Sequence, residues 1–98
     1  MITRIFKVTI DPNHRIEFEK GFFSISVDTV KSREGLLSCE IGRPTPDHPN
    51  DYVMITRWRD KAALKGLTGP DWKRPVFPKG MERLSGTCSV EHYESVEV

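Results

Sequence analysis

The segment DYVMITRW, residues 51–58, constrains the fold of this chain more than any other. Tyr52, Val53, Met54, Ile55 and Trp58 predict a strand that is apolar on both faces, and such a strand needs cover front and back. A helix start follows, with Asp60 as its cap and Ala63, Leu64 and Leu67 as its apolar residues. Gly69-Pro70 stops that helix, and Asp71 is placed to cap a second helical start at Trp72.

The chain has 98 residues, enough for one core, so residues 1–98 read as a single domain. A formal net charge of +1 gives no general attraction to nucleic acid or to a membrane surface. The opening residues MITRIFKVTI alternate and are interrupted by Arg4 and Lys7, unlike the apolar run of a signal peptide or membrane span. The expectation is a cytoplasmic protein, and two cysteines, Cys39 and Cys88, suit a reducing compartment.

The remaining elements follow in order. Residues 2–10 predict a first strand, with Ile2, Phe6, Val8 and Ile10 on one face and Thr3, Ile5, Lys7 and Thr9 on the other. Asp11-Pro12 opens a helix to about Arg33, with a stripe of Ile16, Phe23, Val27 and Val30 widened by Phe22 and Ser26. Gly21 falls inside it, where a small residue suits close packing on the sheet, and Gly35 ends it. Leu36 to Arg43 is a second strand, and RPTPDHPN is a stiff, exposed connection. Pro75 and Pro78 restrict any helix after Trp72 to short pieces, and Thr87 to Glu94 is the last strand. The order β-α-β-β-α-β predicts an α+β, ferredoxin-like antiparallel sheet with the first and third strands central. Helices cover one face. The other still carries apolar groups, so a second copy of the chain is expected against it, as a homodimer.

Three groups of residues carry a family resemblance: Val53-Met54-Ile55 with Trp58, Asp60, Ala63 and Leu64; then Gly69-Pro70-Asp71-Trp72; then Val90, His92, Tyr93 and Glu94. Together they resemble the antibiotic biosynthesis monooxygenase (ABM) domain. That resemblance implies a dimeric α+β barrel and a family of cofactor-free oxygenases of aromatic polyketides, quinol oxygenases and haem-degrading enzymes. The haem-degrading branch uses an Asn, a Trp and a His at places that fall here on Phe6, Leu67, and Val76 or Phe77. None matches, which counts against haem degradation.

No metal site is expected, because His14, His48 and His92 lie far apart in sequence, without an i, i+4 pair or a cysteine cluster. Cys39 and Cys88 fall on opposite sheet edges, too far apart for a disulfide, and read as inert apolar residues. No glycine-rich phosphate loop or dinucleotide fingerprint is present, so no cofactor is predicted. The family binds ligands between the helices and the sheet. The resemblance therefore implies a pocket lined by Trp58, Trp72, Phe22, Phe23 and Phe77, with Tyr52 or His92 as a polar handle. An oxygenase of this kind deprotonates an electron-rich ring compound, holds the anion and admits O₂ to a dry space. His92 is the candidate base and Arg57 (or Arg59) the candidate anion holder.

The alternatives are plain ones. Trp58, Phe22 and Phe23 serve equally as core, and His92 as a solvated edge residue. The basic run from Arg57 to Arg83 serves as a solvated face. A non-catalytic small-molecule binder is the second reading. An RNA-recognition module shares the strand order, but DYVMITRWR lacks the glycine and exposed aromatics that such a strand needs.

Overall fold

The computed structural model describes all residues, Met1–Val98. Four antiparallel strands, β1 (Ile2–Thr9), β2 (Leu36–Gly42), β3 (Asp51–Trp58) and β4 (Thr87–Glu94), lie in the order β2-β3-β1-β4. The first and third strands are central, as the connectivity requires. Between β1 and β2 runs one helical rod: α1 (Arg15–Gly21), a π-helical turn (Phe22–Ser26) and α2 (Val27–Lys31). Helix α3 (Lys61–Thr68) follows β3, and a 3₁₀ turn (Glu82–Leu84) precedes β4. This is the expected α+β, ferredoxin-like arrangement.

Local chemistry accounts for the element ends. Asp11 accepts a hydrogen bond from the Asn13 amide at 2.9 Å and Asp60 one from the Ala63 amide at 2.8 Å, so each caps its helical start. Gly35 has φ of 84°, a left-handed value that suits glycine, and a Cβ there would lie 2.3 Å from the Ala63 Cβ. Past Gly69 the prediction of a second helical start fails. Residues 71–81 form turns only, because Pro75 and Pro78 deny the backbone its helical donors. This strap closes over the edge of the core.

The register divides the sheet into two faces. Facing the helices, residues sit in rows across the strands: Ile41–Met54–Phe6–Val90, Tyr52–Val8–Cys88, and Leu36–Trp58–Ile2–Glu94. Val8, Tyr52, Met54, Phe18, Phe22, Val30, Met81 and Leu84 form the buried core between this face and the rod. One row is different in kind. Thr56, Arg4 and His92 form a polar line across three strands in the middle of an apolar face, continued on β2 by the exposed Cys39. The opposite face carries Ile5, Val53 and Ile55 among Lys7, Arg57, Glu40 and Glu91, and no helix covers it. β3 is therefore apolar on both sides at its centre, with Thr56 and Arg57 breaking the pattern toward its end.

The helical stripe differs from the expected one. Ile16 is 87 % exposed and Phe23 45 %, while Phe18, Phe22, Ser26 and Val30 are buried. These four recur every fourth residue. In a regular α-helix, twelve residues at about 100° each would carry Val30 about 120° out of line with Phe18. The π-helical turn winds more slowly and keeps them on one face. Gly21 does permit close packing, but against the strap rather than the sheet: a Cβ there would lie 2.5 Å from Sδ of Met81.

Candidate functional site

A cavity of about 40 Å³ lies between the rod, the helix-facing side of the sheet and the strap. Phe6, Phe22, Phe77 and Met81 supply much of its apolar wall, and Arg4, Thr56 and Ser26 line it too. Phe77 meets Phe6 edge-on at 6.2 Å between ring centroids, so the strap seals the space with an aromatic contact.

Arg4 is the group that sequence reasoning missed. It is only 4 % exposed. Nη1 donates to the carbonyl oxygen of Trp72 at 2.8 Å and to Nε2 of His92 at 2.9 Å, and Nη2 donates to the carbonyl oxygen of Arg74 at 2.8 Å. A guanidinium has five N–H donors, so two remain, the Nε–H among them. No carboxylate pairs with it. Burial lowers its pKa to about 10, which leaves it cationic near neutrality. A buried cation without a counter-ion, lining an apolar space, attracts negative charge to that space. The signal was present in the sequence: in ITRIFKV, Arg4 takes an inward position between Ile2 and Phe6.

The predicted residues divide. Phe22 and Phe77 line the cavity. His92 does not, but it lies in the polar row with its Nε2 held by Arg4. Its ring packs edge-on against Trp72 at 4.4 Å. Burial, then the charges of Arg4 and Lys73, lower its pKa to about 4, so it is neutral over most of the working range and a weak base. Trp72 stands beside the cavity as part of the strap, with Nζ of Lys61 4.5 Å and Nζ of Lys73 5.8 Å from its ring centroid.

The others fall elsewhere. Trp58 is fully buried, and its Nε1–H donates to Oγ1 of Thr56 at 2.9 Å; it holds a lining residue without lining the space itself. Tyr52 is core, its ring tilted against Phe18 at 4.9 Å between centroids, with its hydroxyl buried and unpartnered; burial, then the Glu19 carboxylate, raises its pKa. Phe23 lies outside under Arg43, 5.8 Å from its ring. Arg57 is on the far face of the sheet, paired across from Thr3 and Ser38. Strand alternation forbids Arg57 and Trp58 from reaching the same side, so the expected pairing of His92 with Arg57 gives way to His92 with Arg4. Arg59 points to Asp60 and Glu34 at the surface.

The basic run is compensated only in part. Arg59, Arg74 and Arg83 pair with Asp60, Asp71 and Glu17. Lys61 and Lys73, beside Trp72, have no carboxylate partner, so positive charge concentrates at the strap end of the polar row.

The fold has solved relatives. SnoaB, a cofactor-independent oxygenase from Streptomyces nogalater, solved as a mutant, superposes with a TM-score of 0.73 at 21 % identity, covering 99 % of this chain and 94 % of its own. A mutant of MhuD with two manganese protoporphyrin IX bound per active site gives 0.73 at 20 % identity, covering 100 % and 97 %. A conserved protein from Methanosarcina mazei Go1 gives 0.72 at 18 % identity, covering 97 % and 92 %. No curated protein matches the chain in sequence. The family model for antibiotic biosynthesis monooxygenase matches residues 1–71, from the first strand through the end of α3, and by that match the chain belongs to this family.

Proposed function

We propose that this chain is a cofactor-free monooxygenase acting on an aromatic small molecule that ionises readily, such as an anthrone or a hydroquinone. One observation carries the reading: Arg4 is a buried cation with free donors, no counter-ion and an apolar, aromatic-walled cavity in front of it. For an anthrone, a ring methylene loses a proton, and Arg4 holds the resulting enolate oxygen. The electron-rich anion reduces O₂; the methylene becomes a carbonyl and the second oxygen atom leaves as water. His92 positions Arg4 rather than taking the proton. Arg4 makes the substrate more acidic by favouring its anion, and the proton passes to water.

The space is small for this work. A cavity of about 40 Å³ is little more than one water's share, whereas an aromatic ring needs on the order of 150 Å³. A substrate therefore enters by lifting the strap at Val76, Phe77 and Pro78, which is built of turns rather than helix or strand.

The haem chemistry of this fold suits the residues poorly. Phe6, Leu67, Val76 and Phe77, the places that carry it in the haem-degrading branch, all line the cavity and offer iron no donor. The lining holds no imidazole or thiolate, and the space is far below a porphyrin's volume.

A second reading is a non-catalytic binder, favoured by the lack of a carboxylate or imidazole facing the cavity. Both readings include a homodimer, with Ile5, Val53 and Ile55 of the uncovered sheet face against the same residues of a second copy, and a cytoplasmic setting that keeps Cys39 and Cys88 as free thiols. Oxygen consumption with a panel of anthrones and hydroquinones separates the two. Uptake that is lost in Arg4→Met establishes the oxygenase. No uptake with any compound leaves the binder.

A further inference from the structure

Ser26 is the one hydroxyl of the first helical rod that is both buried and unused. It is 7 % exposed and lines the cavity. The rod's other hydroxyls behave differently: Ser24 donates to the Lys20 carbonyl at 2.8 Å and Thr29 to the Ile25 carbonyl at 2.8 Å, each reaching back one turn. The Ser26 hydroxyl has no hydrogen-bond partner in the protein, although the residue closes the π-helical turn. Its oxygen is not sealed in the core like the Tyr52 hydroxyl; it belongs to a residue that lines the cavity, so its hydrogen-bonding capacity is open to whatever enters that space. A single π-helical turn inside an α-helix is itself a frequent mark of a functional site. It holds Ser26 in line with Phe22 and Val30 and so aims it at the sheet.

Arg4 reaches the same cavity from the facing layer. The space thus has an aromatic middle and two unsatisfied polar groups of different kinds. One is a cation that suits an ionised oxygen. The other is a neutral hydroxyl that can donate to or accept from an uncharged oxygen.

We infer that Ser26 is a specificity-determining residue: the cavity takes an anionic ring compound bearing a second, neutral oxygen, with the charged end at Arg4 and the neutral oxygen at Ser26. The inference rests on the reading of this cavity as the ligand site, and it concerns recognition rather than turnover. A plain aromatic acid would satisfy Arg4 and leave Ser26 bare. A hydroxylated one would satisfy both.

The test compares benzoate with 3- and 4-hydroxybenzoate, with affinities measured by calorimetry on the wild type and on Ser26→Ala. Alanine removes only the hydroxyl and is the better helix former, so the fold survives; the thermal midpoint checks this. The expected result is that one hydroxybenzoate binds the wild type about tenfold more tightly than benzoate, the worth of one good hydrogen bond. In Ser26→Ala that preference falls to near unity while benzoate affinity stays the same. Equal affinities in the wild type, a preference that survives Ser26→Ala, or no binding by any of the three acids would each overturn the inference. Its failure is distinct from that of the oxygenase reading: Ser26-dependent binding without oxygen uptake sinks only the latter, and uptake with a preference indifferent to Ser26 sinks only the former.

Discussion

Nη1 of Arg4 lies 2.9 Å from Nε2 of His92. A guanidinium has no lone pair to offer, so the imidazole nitrogen is the acceptor and the ring proton sits on Nδ1. Protonating His92 would set two cations face to face with Lys73 nearby, in a setting that already disfavours charge.

This has a consequence for stability against pH. The folded pKa of His92 is about 4, below the ordinary 6.5, so the unfolded chain binds the proton first. Its contribution is full above 6.5 and lost as pH falls toward 4. Allowing for partial solvation, the loss is on the order of 2 kcal/mol. His92→Gln keeps an acceptor for Arg4 but does not titrate. Denaturant melts across pH 7 to 4 should show a flatter profile for this variant; equal slopes would remove His92 from the account.

Arg4→Met should separate activity from stability. Methionine fills much of the same volume, and the freed carbonyls of Trp72 and Arg74 belong to the strap, where their bonds to Arg4 are only part-buried. The stability change should stay below about 2 kcal/mol. Oxygen uptake should fall about 10²–10³-fold, as when one oxyanion donor is removed elsewhere. Nuclear magnetic resonance titration of His92 in the same variant should show its pKa rising from about 4, though not fully to 6.5, because burial is the larger cause.

Gly35→Ala should destabilise by about 2–4 kcal/mol, because it combines a left-handed φ with an overlap against Ala63. Ala63→Gly alone should cost about 1 kcal/mol of helix propensity. The double variant should lie closer to the wild type than the sum of the two, by about 1 kcal/mol or more, since it removes the overlap. Simple additivity in thermal melts would mean that the two residues do not meet.

The uncovered sheet face makes a prediction about assembly. The wild type should sediment at about twice the chain mass of 11.3 kDa at micromolar concentration. Ile55→Glu puts a charge at the centre of that face and should give a folded monomer. A wild type that sediments as a single chain refutes the dimer.

Much of the fold was legible because local signals agreed with one another. Asp11, Gly35, Asp60 and Gly69 mark the element ends, and alternation in the strands fixes which residues share a face. The candidate site was less legible, for two separate reasons. Arg4 sits at an inward position, but a charge within a strand reads at first as an interruption rather than as the group the face is built around. Alternation also bears on Arg57: with Trp58 inward, Arg57 is outward and cannot reach the face that carries His92. The exposed Ile16 and buried Phe18 were hidden for a different reason. A stripe sought at 3.6 residues per turn cannot show a rod that winds more slowly at its middle, and nothing in FFSIS announces that change.

That slower winding has a counterpart in chain length. From Phe18 to Val30 there are twelve steps; without the exposed Ser24 there would be eleven, about 1100°, within about 20° of three full revolutions. The π-helical turn is therefore equivalent to a single inserted residue, and excising it would leave the inward side chains in phase while restoring an ordinary helix. The surplus residue is not needed to bury Phe18 or Val30. What it changes is the backbone around Ser26.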